Sequence, residues 1–115
     1  METQTYQDIS LKLAPILDAL SHPARLQIIL HLAKYNGCPA GSISERLPLS
    51  KSTVSQHLAK LKEAGIVSAI PDGLLQRYRL NEEALNLMNS YYHTFLDTIR
   101  ELSKAKVDCP GDCNC

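Results

Sequence analysis

The sequence predicts a mainly α-helical chain carrying one β-hairpin, and three observations predict it. Apolar residues recur at helical spacing through four successive segments between Ile9 and Leu61. Short strand-like runs then flank the turn residues Pro71-Asp72-Gly73. A heptad-spaced apolar stripe follows from Leu85 to Leu102. At 115 residues and 44 % hydrophobic content, the chain has the length and composition of one globular domain. No apolar run approaches the ~20 residues of a membrane span. Met1–Thr5 has neither a basic nor an apolar leader region, so a cytoplasmic location is expected, without a membrane partner.

The first helix is carried by Ile9, Leu13, Ile16, Leu17 and Leu20, with Pro15 marking either a kink or a restart. Pro23 suits the first position of a second helix, whose apolar face is expected at Leu26, Ile29, Leu30 and Ala33 and whose end is Asn36-Gly37. Ser42 and Glu45 have capping-box spacing for a short third helix with Ile43 and Leu47 inward. Ser50 caps a fourth, in which Val54, Leu58 and Leu61 face the core and Gly65 follows the end. Residues 67–70 and 76–80 read as the hairpin strands, with Tyr78 and Leu80 on one face and Arg77 and Arg79 on the other. Asn81 caps the last helix, with Glu82 and Glu83 at its positive end. That helix is expected to fade near Lys106, before Pro110-Gly111.

Helix, turn, helix and basic hairpin make a winged helix-turn-helix layout. The formal net charge is zero, but residues 50–80 carry net +3. With the apolar side of the fourth helix inward, Ser52, Gln56 and Lys60 lie opposite, with Thr53, Ser55 and His57 beside them. Small, amide and basic side chains on one helix face suit the major groove of double-stranded DNA. Gln56 can pair with an adenine edge, and Ser52 and Thr53 can reach bases or phosphate. Lys51 and Lys60 are expected on phosphates, and Arg77 and Arg79 on the backbone or minor groove. A merely solvated polar face is the alternative.

The segments ALSHPARLQIILHL, LSKSTVSQHLAKLKEAGIV and DGLLQRYRL resemble the ArsR/SmtB family of dimeric bacterial winged-helix repressors. The resemblance covers roughly residues 14–102. It implies a homodimer built by the first and last helices, an operator-DNA partner, and release from DNA when an inducer binds. The heptad positions Leu85, Met88, Tyr92, Phe95, Ile99 and Leu102 independently suit a dimer interface; an intrachain core stripe is the alternative. Residues 1–106 are read as one DNA-binding and dimerisation domain and 107–115 as a cysteine-rich tail.

Two metal sites known in that family are missing their ligands. Pro39 and Gly41 stand where many members carry a Cys-Val-Cys pair, with Cys38 one residue earlier. On the last helix only His93 and Asp97 are present, with Tyr91 where another branch has an Asp, and two ligands do not make a zinc cage. His22 and His31 read as structural. The sensing candidate is Cys109-Pro-Gly-Asp-Cys113-Asn-Cys115. A Pro-Gly turn there lets three thiolates converge on one soft ion, which suits trivalent arsenic or antimony as inducer. Zinc or cadmium would need a fourth ligand, from Cys38 or the partner chain. Thiol redox or reactive-sulfur sensing is a second input. A metal-trafficking or protein-binding module without DNA is the reading from another class. No nucleophile–base set, phosphate loop or H-E-x-x-H is present, so the chain is read as no enzyme, with no catalytic cofactor.

Overall fold

A computed structural model describes the backbone of residues 2–109 and the side chains of residues 6–109. Five helices and one hairpin follow in the order α1 (Glu2–Leu20), α2 (Pro23–Lys34), α3 (Ala40–Arg46), α4 (Lys51–Glu63), β1 (Val67–Asp72), β2 (Leu75–Leu80) and α5 (Glu82–Lys104). Pro15 lies inside α1, which continues through it. The boundary between α1 and α2 falls instead at Ser21-His22, where His22 Nδ1 accepts from Ala24 N at 3.1 Å. That contact caps α2 ahead of Pro23, which needs no partner for a missing N–H.

The core is built where α2, α3 and α4 meet. Ile28, Ile43, Val54, Leu58, Leu61 and Ile66 are fully buried, so the inward faces expected for α3 and α4 are the observed ones. The face expected for α2 is not. Ala24, Ile28, His31 and Leu32 point inward, while Leu26 and Leu30 are 45 % and 70 % exposed. This helix has apolar residues on two sides, and the spacing alone favoured the outer set. The capping box at Ser42 is also absent. Pro39 precedes the helix, its carbonyl accepts from Ser42 N and Ile43 N, and the Ser44 hydroxyl donates to Gly41 O at 2.9 Å. The third helix therefore starts earlier than its polar residues suggested.

The helix α2 ends at Lys34, two residues before the expected Asn36-Gly37, with Tyr35 as an extended C-cap; the starts of α4 and α5 match their residues. Ser50 Oγ accepts from Thr53 N at 3.2 Å at the start of α4. Asn81 Oδ1 accepts from Ala84 N at 3.3 Å at the start of α5, and Asn81 Nδ2 donates to Gly65 O at 3.2 Å. One asparagine thus caps α5 and fastens it to the end of α4. The hairpin is longer than expected. Strands pair antiparallel from Val67↔Leu80 to Asp72↔Leu75, so Pro71 and Asp72 belong to β1 and Gly73-Leu74 form the turn. Gly73 takes a φ of 62°, as the first central position of a tight hairpin turn requires. Pro71 is tolerated because β1 has a partner on one side only.

Candidate nucleic-acid interface

The layout around α4 follows from its burial pattern. Val54, Leu58 and Leu61 hold one side in the core, which turns Lys51, Ser52, Ser55, Gln56 and Lys60 to solvent. Their exposure leaves Gln56 able to offer both amide donor and acceptor to a base edge. Thr53 and His57 are half-buried at the margin of this face. Thr53 Oγ1 accepts from Ser50 Oγ at 2.9 Å, so its hydroxyl supports the cap. The His57 ring lies 4.5 Å from that of His22, centroid to centroid. Burial first, then the nearby His22 and Arg25, lower its pKa from the ordinary 6.5. His57 therefore packs α4 against the start of α2, at the margin of the expected DNA-facing side. Lys60 Nζ is 3.5 Å from Asp18 Oδ2 of α1, with both side chains exposed. Such a pair is worth little in water and exchanges easily for a phosphate.

On the wing, Arg77 and Arg79 share a face as expected, but their surroundings differ. Arg77 Nε donates to Asp72 Oδ2 at 2.6 Å, and Nη1 donates to Gly37 O at 3.0 Å. Arg79 borders a groove of about 560 Å³ between α2, the wing and the start of α5, together with Asn36 and Glu82. The tip residue Leu74 is fully exposed. The neighbouring backbone carries a contact that sequence reading missed: Cys38 and Tyr78 exchange both backbone hydrogen bonds, at 3.1 and 2.9 Å. No local signal marks it, because the partners lie on opposite sides of the α3–α4 unit.

Cys38 is half-buried, with Sγ 3.7 Å from His31 Nε2, and its thiol donates to Tyr35 O at 3.3 Å. His31 is buried, which lowers its pKa, and the Arg46 charge lowers it further. Cys109 is exposed just beyond α5, while Cys113 and Cys115 lie outside the described residues. His93 stands exposed on α5, and Asp97 accepts from Arg100 at 3.3 Å.

The heptad stripe on α5 divides in two. Leu85 and Met88 are half-buried, and Met88 packs on the core. Tyr92, Phe95, Ile99 and Leu102 are 38–49 % exposed. Beside them, Leu13, Ile16, Leu17 and Leu20 of α1 line an apolar groove of about 370 Å³ with Leu85, Met88 and Tyr92.

Residues 22–69 match the family model described as bacterial regulatory protein, arsR family. The transcriptional activator HlyU of Vibrio cholerae is 33 % identical over 81 % of this chain and 85 % of its own. The chain belongs to the ArsR family. The biofilm growth-associated repressor of Agrobacterium fabrum is 35 % identical over 73 % of this chain and 72 % of its own. An ArsR-like transcriptional regulator from Rhodococcus sp. RHA1 superimposes with a TM-score of 0.70 at 29 % identity, covering 84 % of this chain and 91 % of that one. An ArsR-family chain of this build is a DNA-binding transcriptional regulator, not an enzyme, and α3–α4 with the hairpin is its winged helix-turn-helix. No helix among the described residues is long and apolar enough to cross a membrane.

Proposed function

We propose that the chain is a homodimeric repressor that holds operator DNA through α4 and is released by chemistry at its cysteines. The outward polar face of α4, fixed by three buried apolar residues, carries this reading. Gln56 reads base edges, Ser52, Thr53 and Ser55 contact bases or phosphate, and Lys51, Lys60 and Arg79 neutralise phosphates. His57 positions the helix that carries them. The uncovered Tyr92–Leu102 half of α5, with α1 beside it, supports the dimer. A C2 pair would bury these side chains and set two α4 helices one helical turn of DNA apart.

For the inducer, three soft thiols at Cys109, Cys113 and Cys115 favour trivalent arsenic or antimony. Tying the tail directly beyond α5 would bias the spacing of the two heads toward an arrangement that misses successive grooves. A second reading is favoured by the Cys38–His31 contact: a half-buried thiol beside an imidazole, hydrogen-bonded by its own backbone to the wing, as a redox input. Fluorescence anisotropy on a duplex from the chain's own promoter separates the two. Release of the reduced protein by arsenite, lost when Cys109, Cys113 and Cys115 become Ser, supports the tail. Release by peroxide alone, lost in Cys38→Ser, replaces it with the redox reading. Activation, the role HlyU is named for, is separated by reporter output from the same promoter: repression without inducer is expected, and a fall in transcription on deleting the gene would contradict it.

A further inference from the structure

The Arg77 guanidinium is engaged within the chain through two of its three nitrogens, Nε and Nη1. Asp72, its partner at 2.6 Å, lies two residues along β1 from Ile70, the cross-strand neighbour of Arg77, and so on the same face. Gly37, its other partner at 3.0 Å, belongs to the loop between α2 and α3, forty positions away in sequence. Gly37 has a φ of 75°, a left-handed bend that other residues adopt at a cost. Cys38, the next residue, makes the paired backbone contact with Tyr78. A two-stranded hairpin is marginally stable by itself. The backbone pair and the Arg77 fork are adjacent ties that hold this one to the body of the chain.

Asp72 also offsets the Arg77 charge, so the pair presents little net attraction to a phosphate. We propose that Arg77 is a positioning residue for DNA binding, a fork that locks the wing to the α2–α3 loop, and not a phosphate ligand. The proposal rests on the DNA-binding reading above. It gives a sign that a direct contact does not. Asp72→Asn makes the wing more positive by one charge. A phosphate-binding Arg77, freed from its carboxylate, would then hold DNA more tightly; a fork that has lost its anchor would hold the wing less well and bind DNA more weakly. Arg77→Lys keeps the charge and loses the planar fork.

The test uses the full reduced chain and a duplex from its own promoter, followed by anisotropy across a salt series. Arg77→Lys and Asp72→Asn are both expected to bind roughly three- to tenfold more weakly, with the slope of log K against log salt unchanged. Amide hydrogen exchange at Cys38 and Tyr78, measured without DNA, is expected to quicken in both variants. Parent-like binding by Arg77→Lys, tighter binding by Asp72→Asn, or a slope about one unit shallower in Arg77→Ala would overturn the proposal. Unchanged exchange in both variants would overturn it as well. If the parent chain did not bind the duplex, the DNA-binding reading would fall, and exchange alone would decide whether the fork holds the wing.

Discussion

Gln56 and His57 are neighbours on α4 with different surroundings, and burial is what separates them. Gln56 is exposed and free to meet a base, so Gln56→Ala is expected to cost about 1–3 kcal/mol of discrimination at one operator position. Competition between operator duplexes differing at single base pairs measures this; uniform weakening across all of them would argue for a phosphate contact. His57 is packed on His22, and its lowered pKa has a consequence for stability. A histidine whose pKa is lowered by folding binds its proton more readily when the chain is unfolded. Its contribution is therefore complete above about pH 6.5 and is lost as pH falls from there toward the lowered value. His31, lowered by burial and by Arg46, acts with the same sign. Thermal melts should show stability falling on acidification below about 6.5, and less steeply in His57→Gln. Equal slopes in parent and variant would contradict the assignment. The sequence placed His57 by helical angle alone, which cannot show that a second histidine thirty-five residues back along the chain waits at the margin.

Helices and caps were legible where one residue type has one reason to be there. Ser50, Asn81 and Gly65 occupy the caps and turn that their chemistry requires, and the buried sides of α3 and α4 are the expected ones. α2 was misread because its apolar residues line two faces, and only packing reveals which meets the core. The wing contact to Cys38 was invisible because backbone pairing across α3 and α4 leaves no spacing pattern. Asn81 illustrates how one legible residue does more than its local motif implies. Loss of its cap to α5 and of its bond to Gly65 makes Asn81→Ala expected to destabilise the chain by about 1–2 kcal/mol, read by urea denaturation. A change within a few tenths would show that neither bond contributes.

Across the whole molecule, a formally neutral chain concentrates its positive charge on the α4–wing half. Its uncovered apolar residues lie largely on α1, α2 and α5. In the proposed complex, DNA and a second copy would therefore meet different sides. The α5 stripe was legible as an apolar helical face from its heptad, but which of its residues serve the chain's own core was not: that depends on where α1 and the α2–α4 body end along a helix of 23 residues. Phe95→Asp is expected to shift the chain from dimer to monomer in sedimentation velocity while its circular dichroism stays helical. A dimer that survives the change would place the interface elsewhere. The proposed sensor is the part that periodicity and packing say least about, since thiols bind by chemistry and not by fold.

The most direct test of a regulator released through its tail cysteines is one titration. Reduced protein is bound to a fluorescent duplex from its own promoter, and arsenite is added. Saturable binding with two protomers per site, followed by release at stoichiometric arsenite, is the predicted result. No binding, or a complex that arsenite leaves intact, would contradict it.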